Sequence, residues 1–354
     1  MYVNRGSITA IGIIFPILAV LAMIMRVYGL RYYSRKFELD DILVIPAVML
    51  NIAAGAALVI GAQMEIIGGH SYPVISETEQ ERLGKFEYAF WIGHILAIGF
   101  IKLTILFLFR RIFRGQTYRT AFDYANWTII FFVTLWTLVF LFFEIFACGA
   151  TPAASWLSLQ SLRHACVDTF GMQTGGAVFS WILDLTILIE PLLMIRTLNM
   201  STKRKIQTSL VFLCSIFAVT AGLLRMIPWI QIHIQDISHV NIRVLGTTLP
   251  TADQEGIVSI ILFWTYVEIG IGFLVACLPR SAWIFDKISL TPIIYKLRSL
   301  ASTTSISQWE RGPDPKRGKE RNYSQASWIS TRQPKESPSR HTDDEIELVA
   351  ARST

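Results

Sequence analysis

The stretch ILVIPAVMLNIAAGAALVIGAQM, residues 42–64, decides the fold class because its 23 consecutive residues carry no charge. A helix rises about 1.5 Å per residue, so a run of this length can cross a hydrocarbon core about 30 Å thick. Lipid offers no hydrogen-bond partners to free backbone groups, whereas a helix satisfies its own. The sequence therefore predicts a transmembrane helix here.

Six more apolar runs of similar length flank this stretch, at residues 8–28, 86–109, 127–148, 172–195, 206–230 and 257–278. The composition agrees, since 53% of the 354 residues are hydrophobic and 16% are charged, whereas soluble domains carry about 25% charged residues. We therefore predict an all-α fold, a bundle of seven transmembrane helices over residues 1–285, in an integral multi-pass membrane protein surrounded by lipid. Positive charge follows the first run instead of preceding it, so this run is predicted to be a retained helix and not a signal peptide.

Basic residues near the ends of the runs predict the orientation, because Lys and Arg at these positions favour the cytosolic side. Four of them follow each of the first, third and fifth runs, whereas the other connections hold two at most. The N-terminus is therefore predicted to be outside and the C-terminus cytosolic. Residues 286–354 are predicted to form a cytosolic, largely disordered tail. Since the basic residues lie at run ends and in this tail, the net charge of +6 does not indicate nucleic acid as a partner.

Two of the four cysteines, Cys148 and Cys166, are predicted to lie on the outer side, in an oxidising compartment. We expect a disulfide between them and free thiols at the other two cysteines. Three Asn-x-Ser/Thr patterns fall on the predicted cytosolic side, so no glycosylation is expected. These patterns begin at Asn126, Asn199 and Asn322.

Charged side chains inside the runs are the candidate functional residues, because a charge in hydrocarbon is costly and normally has a partner. By their depth along the helices, Asp184 and Glu268 lie near the midplane, with Lys102 within reach of them. We expect these three residues to form a midplane site in which Lys102 pairs with Asp184 or Glu268. Glu144 and Arg225 fall in the outer half and are expected to form a second pair. Either ion pairs that fix helix packing or a pocket for a ligand or substrate would explain such charges.

His94 lies one turn after Trp91 in the third run and is a candidate member of the midplane site, as a hydrogen-bonded core residue or a proton relay. It is the only one of the six His residues inside a run, so haem sites and multi-histidine metal sites lack their ligands. The seventh run contains no Lys that could hold retinal as a Schiff base. Phosphate-binding, dinucleotide-binding and nucleophile-elbow motifs do not occur either. We therefore expect neither a metal nor a cofactor.

A set of short motifs spread over about residues 10–285 resembles the fungal rhodopsin-domain family of seven-span membrane proteins. The motifs are Arg26-x-Tyr28, Asp40-Asp41, Lys102 to Leu106, Arg110 to Phe113, Cys148 to Pro152 with Trp156 and Cys166, Asp184 with Pro191, Gly222 with Arg225, and Trp264 to Glu268 followed by Ala276 to Pro279. The resemblance implies a fungal membrane protein in small-molecule biosynthesis or sensing, and it assigns no catalytic residue. Receptor-like members commonly begin with a cysteine-rich outer domain, which the seven residues before the first run do not form.

Three functions are compatible with these features. The favoured one is an accessory component of a secondary-metabolite pathway that handles or senses an apolar small molecule. The first alternative is a seven-helix receptor that couples to a cytosolic protein partner through its inner loops or tail. The second is a metal-free membrane cyclase or isomerase, with Asp184 or Glu268 as the acid and Lys102 or His94 as its electrostatic partner.

Overall fold

A computed structural model describes residues 3–32, 37–70, 76–112, 119–149, 151–157, 159–197, 202–235, 241–244, 247–250 and 253–278. The predicted tail, 286–354, lies outside the described residues. The elements in chain order are α1 (Arg5–Tyr32), α2 (Leu39–Gln63), α3 (Glu77–Ile112), α4 (Arg119–Phe146), α5 (Ala154–Leu157), α6 (Leu159–Ala165), α7 (Thr169–Thr197), α8 (Thr202–Gln235), β1 (Asn241–Val244), β2 (Thr247–Pro250) and α9 (Gln254–Cys277).

Seven of the described helices are long and apolar enough to cross a membrane, namely α1, α2, α3, α4, α7, α8 and α9. This confirms the predicted seven-span, all-α membrane fold. The apolar runs do not predict the short helices α5 and α6, nor the antiparallel hairpin of β1 and β2, in which Ile242 lies opposite Leu249. Both features lie in connections between spans.

Each long helix packs against the next long helix along the chain. The last one, α9, also contacts α1 and α3 and so closes the bundle. Helices α3 and α9 are the most buried and form its centre. On the outer helices large apolar side chains face outward, for example Ile17, Met49 and Phe131. Such faces suit contact with hydrocarbon, since lipid imposes no cost on exposed apolar surface.

The two ends of the bundle carry different polar features, and we name them by these. At the disulfide end, a bridge joins Cys148 to Cys166, as predicted. At the same end, Asp253 caps α9 by accepting a hydrogen bond from the Gly256 N–H over 3.0 Å. The opposite end we call the Arg26 end.

A buried ionic cluster holds the Arg26 end together. Arg26 is 1% exposed, and its Nη2 lies 2.7 Å from Asp40 Oδ2 and 3.0 Å from Asp41 Oδ1. Its Nη1 donates to the Ala276 carbonyl of α9 over 3.0 Å. Arg111 of α3 adds contacts of 3.2 and 3.4 Å to the same two carboxylates. The cluster thereby joins α1, α2, α3 and α9.

Candidate functional site

Lys102 of α3 and Asp184 of α7 form an ion pair in the interior of the bundle. Lys102 Nζ lies 3.1 Å from Asp184 Oδ1, and the Lys102 side chain is 3% exposed. The ammonium also donates to the Ser180 carbonyl over 2.7 Å and to Ser180 Oγ over 2.8 Å. It lies 5.4 Å from the centre of the Trp136 ring. The Lys102 ammonium therefore has partners on α7 and α4.

Arg225 of α8 and Glu268 of α9 form the second buried ion pair. Arg225 Nε lies 2.6 Å from Glu268 Oε2, and each side chain is 4% exposed. Arg225 therefore pairs with Glu268 and not with Glu144, because α8 packs directly against α9 and presents Arg225 on that face. Glu144 instead accepts a hydrogen bond of 2.7 Å from Gln173 Nε2.

The two ion pairs and His94 form one electrostatic cluster in the interior. Asp184 lies within electrostatic range of both Arg225 and Glu268, and His94 lies within range of both Arg225 and Lys102. The His94 side chain is buried, and neither ring nitrogen has a hydrogen-bond partner among the described residues. The structure thus brings all four candidate midplane residues together. It gives His94 ring contact with Trp91 and no hydrogen bond within the described chain.

A cavity of about 200 Å³ lies between this cluster and the disulfide end, bounded by α3 to α9. Most of its lining is apolar or aromatic, including Trp91, Trp156 and Trp229. The Trp91 ring packs 5.6 Å from the Trp229 ring and 5.3 Å from the His94 ring. Trp91 therefore both lines the cavity and contacts His94, which lies among the interior charges.

Two carboxylates line the cavity, Glu87 of α3 and Glu144 of α4, and they lie within electrostatic range of each other. Glu87 is not among the site residues predicted from the sequence, although it lies in the third apolar run. Residues 87, 91 and 94 share a helix face at spacings of four and three, and this spacing could have linked Glu87 to Trp91 and His94.

The interior ion pairs and the carboxyl groups of the cavity allow different chemistry. The interior carboxylates are held by Lys102 and Arg225, so their negative charge is already compensated. Glu87 and Glu144 face a cavity in which no Lys, Arg or His stands among the described lining residues. Within the described residues, no three His, Cys, Asp or Glu side chains are arranged to hold a metal ion. The cavity carboxylates are therefore the groups best placed to meet a bound molecule.

Comparisons with known proteins give a consistent result. A family model described as the fungal rhodopsin domain matches residues 25–287. A polyenoic acids biosynthesis gene cluster protein, Ba17b, of Metarhizium anisopliae is 26% identical over 59% of this chain and 56% of its own length. An SAT4 family membrane protein of Emericella nidulans is 27% identical, over 65% of this chain and 53% of its own. A phomoidride biosynthesis cluster protein H of a fungal species is 24% identical, over 61% and 62%.

The matches to these curated relatives span about half to three fifths of the relatives' own length. No solved structure matches the chain.

Proposed function

Because the chain belongs to the fungal rhodopsin domain family, we propose that it is an accessory membrane component of a secondary-metabolite pathway that binds a small, largely apolar molecule. The cavity at the disulfide end carries this proposal. It has a volume of about 200 Å³, and its lining combines aromatic rings with a few polar groups. Sites for small molecules in proteins have this character, concave and mostly apolar with a small number of orienting polar side chains.

The relatives support the setting in metabolism. Two of them are named as members of biosynthesis gene clusters, one for polyenoic acids and one for phomoidride. These names describe those proteins and not the molecule that this chain would bind. A role in a comparable cluster is therefore part of the proposal.

Filling the cavity tests the proposal. Val258 lines the cavity from α9, so Val258→Trp is expected to occupy space that the molecule needs. Val139 on α4 is 46% exposed on the outer face of the bundle, and Val139→Trp is the matched control. In a deletion strain, we expect Val139→Trp to restore the wild-type metabolite profile. Val258→Trp should not restore it, although both variants are present in equal abundance. Full restoration by Val258→Trp would contradict the proposal.

The same strains distinguish the two alternative functions. A cyclase or isomerase predicts that the deletion strain accumulates one precursor, and that purified protein converts this precursor without other components. A receptor predicts that transcripts of the pathway fall together while no single precursor accumulates. An accessory binding protein predicts lower product yield with the transcripts unchanged.

A further inference from the structure

We infer that the molecule bound in this cavity is an organic cation, an amine or quaternary ammonium compound with an apolar body and a hydrogen-bond acceptor at its deep end. This inference rests on the proposed function, because it names the chemical class of the molecule that the cavity would take. Three independent features of the cavity carry it: its two carboxyl groups, its aromatic rings and one buried indole N–H.

The described lining of the cavity holds two carboxyl groups and no cationic side chain. Glu87 and Glu144 lie within electrostatic range of each other, and neither forms an ion pair with a described residue. Glu144 has a hydrogen bond from the neutral Gln173 side chain, whereas Glu87 has neither a hydrogen bond nor an ion pair to any described residue. Two carboxyl groups close together in a poorly solvated site resist ionising together, whereas a nearby positive charge favours their ionised form. A bound cation would therefore be stabilised by these two groups as they ionise.

Aromatic rings with which such a cation could make contact line the cavity. At the level of Glu87, the Tyr88 and Trp156 rings pack edge to face with their centres 5.2 Å apart. One turn deeper on α3, Trp91 packs against Trp229. The faces of Trp and Tyr rings attract organic cations, and cages of such rings recognise quaternary ammonium groups. A bare metal ion would instead need a shell of oxygen ligands, which this largely apolar lining does not offer.

The indole N–H of Trp229 indicates a hydrogen-bond acceptor at the deep end of the ligand. Trp229 lines the cavity and is 7% exposed. Its Nε1 is buried and has no hydrogen-bond partner among the described residues. An indole nitrogen can only donate, and leaving a buried donor unpaired is unfavourable. A carbonyl, ether or hydroxyl oxygen of the ligand would accept this hydrogen bond.

A pair of isosteric probes tests the inference on the full-length protein in detergent or nanodiscs. Benzoylcholine carries a quaternary ammonium group and an ester oxygen, and 3,3-dimethylbutyl benzoate replaces only the charged nitrogen by carbon. We expect wild-type protein to bind benzoylcholine at least tenfold more tightly than the neutral ester. The double variant Glu87→Gln/Glu144→Gln should lose this preference, whereas binding of the neutral ester should stay within about twofold and so report an intact cavity.

Two further variants separate the contributions. Glu81→Gln changes a carboxylate of α3 that pairs with Lys85 outside the cavity, so it should leave both affinities unchanged. Trp229→Phe keeps a ring and removes the donor, so it should weaken both probes alike. Equal binding of the two probes to wild-type protein would overturn the inference while the proposed function stands. If Val258→Trp binds both probes as wild type does and also fully restores the metabolite profile, the proposed function is contradicted as well.

Discussion

At the scale of single residues, the interior of the bundle is governed by the cost of burying charge. Arg225 and Glu268 are each almost fully buried and lie 2.6 Å apart. Their mutual attraction offsets a desolvation cost of several kcal/mol per ion. Arginine does not lose its proton in proteins, so its charge stays if its partner is removed. Removing Glu268 and removing Arg225 therefore have different consequences, because only the loss of Glu268 leaves a buried arginine charge without its partner.

Glu268→Gln is expected to destabilise the protein by about 3–5 kcal/mol, because it leaves the Arg225 guanidinium buried without a counter-charge. The matched control is Glu81→Gln, which removes one member of an exposed pair with Lys85 and should cost less than about 1 kcal/mol. Thermal unfolding in detergent and steady-state abundance measure both effects. If Glu268→Gln protein is as abundant and as stable as wild type, the pair has no structural role. A loss of metabolite activity at unchanged abundance would then indicate a role in binding or chemistry.

Depth in the sequence indicates which charged residues lie at a similar level, but it does not determine how they pair. Depth along each helix placed Lys102, Asp184 and Glu268 at a similar level, and the structure brings them into one cluster. Depth does not determine which face of a helix meets which neighbour. The sequence therefore predicts an ion pair between Arg225 and Glu144, whereas α8 presents Arg225 to Glu268 of α9.

At the scale of elements, the connection between α4 and α7 matters more than a loop usually does. It folds into α5 and α6, and residues of both helices line the cavity. Apolar periodicity cannot reveal such short helices, because α5 has four residues and α6 has seven. The Cys148–Cys166 disulfide closes this segment, with a sequence separation of 18. The bridge thus constrains one wall of the cavity.

Removing this bridge is expected to weaken both stability and binding. A closed loop of about this length contributes about 3 kcal/mol in the chain-entropy view, so Cys148→Ala/Cys166→Ala should lower the thermal midpoint in detergent by several degrees. It should also weaken benzoylcholine binding, because Trp156 of α5 would be held less firmly against Tyr88. Cys214→Ala, which changes a free thiol, is the control. A double variant with wild-type stability and affinity would contradict this view of the connection.

A buried contact between α4 and α7 shows why local motifs mislead in a membrane protein. Asn126 begins an Asn-x-Thr pattern that resembles a glycosylation signal. In the structure its side chain is fully buried, and its Nδ2 donates to Glu190 Oε1 over 2.9 Å. The motif depends only on neighbouring residues, whereas the side chain of Asn126 contacts Glu190, which lies 64 residues away in the chain. Single-sequence patterns carry no information about such a partner.

At the scale of the whole molecule, two separate features bear on how the bundle sits in the membrane. The basic residues are concentrated after the first, third and fifth runs, which favours a cytosolic position for these connections. The disulfide at the opposite end needs an oxidising compartment, which the cytosol does not provide. Charge distribution and cysteine chemistry are unrelated physically, yet both favour an outer or lumenal disulfide end and a cytosolic Arg26 end.

We therefore predict an outer N-terminus and a cytosolic C-terminus. A green fluorescent protein fused after Thr354 should fluoresce, a phosphatase fused at the same position should be inactive, and Asn322 should carry no glycan although it begins an Asn-x-Ser pattern. As a positive control, an acceptor site introduced between residues 71 and 75, in the second connection, should be glycosylated. The opposite result at both positions would show that the bundle has the inverse orientation in the membrane. It would also place Cys148 and Cys166 in a reducing compartment, where a bridge would not persist. Glycan mapping and non-reducing mass spectrometry on one sample therefore test the orientation and the disulfide against each other.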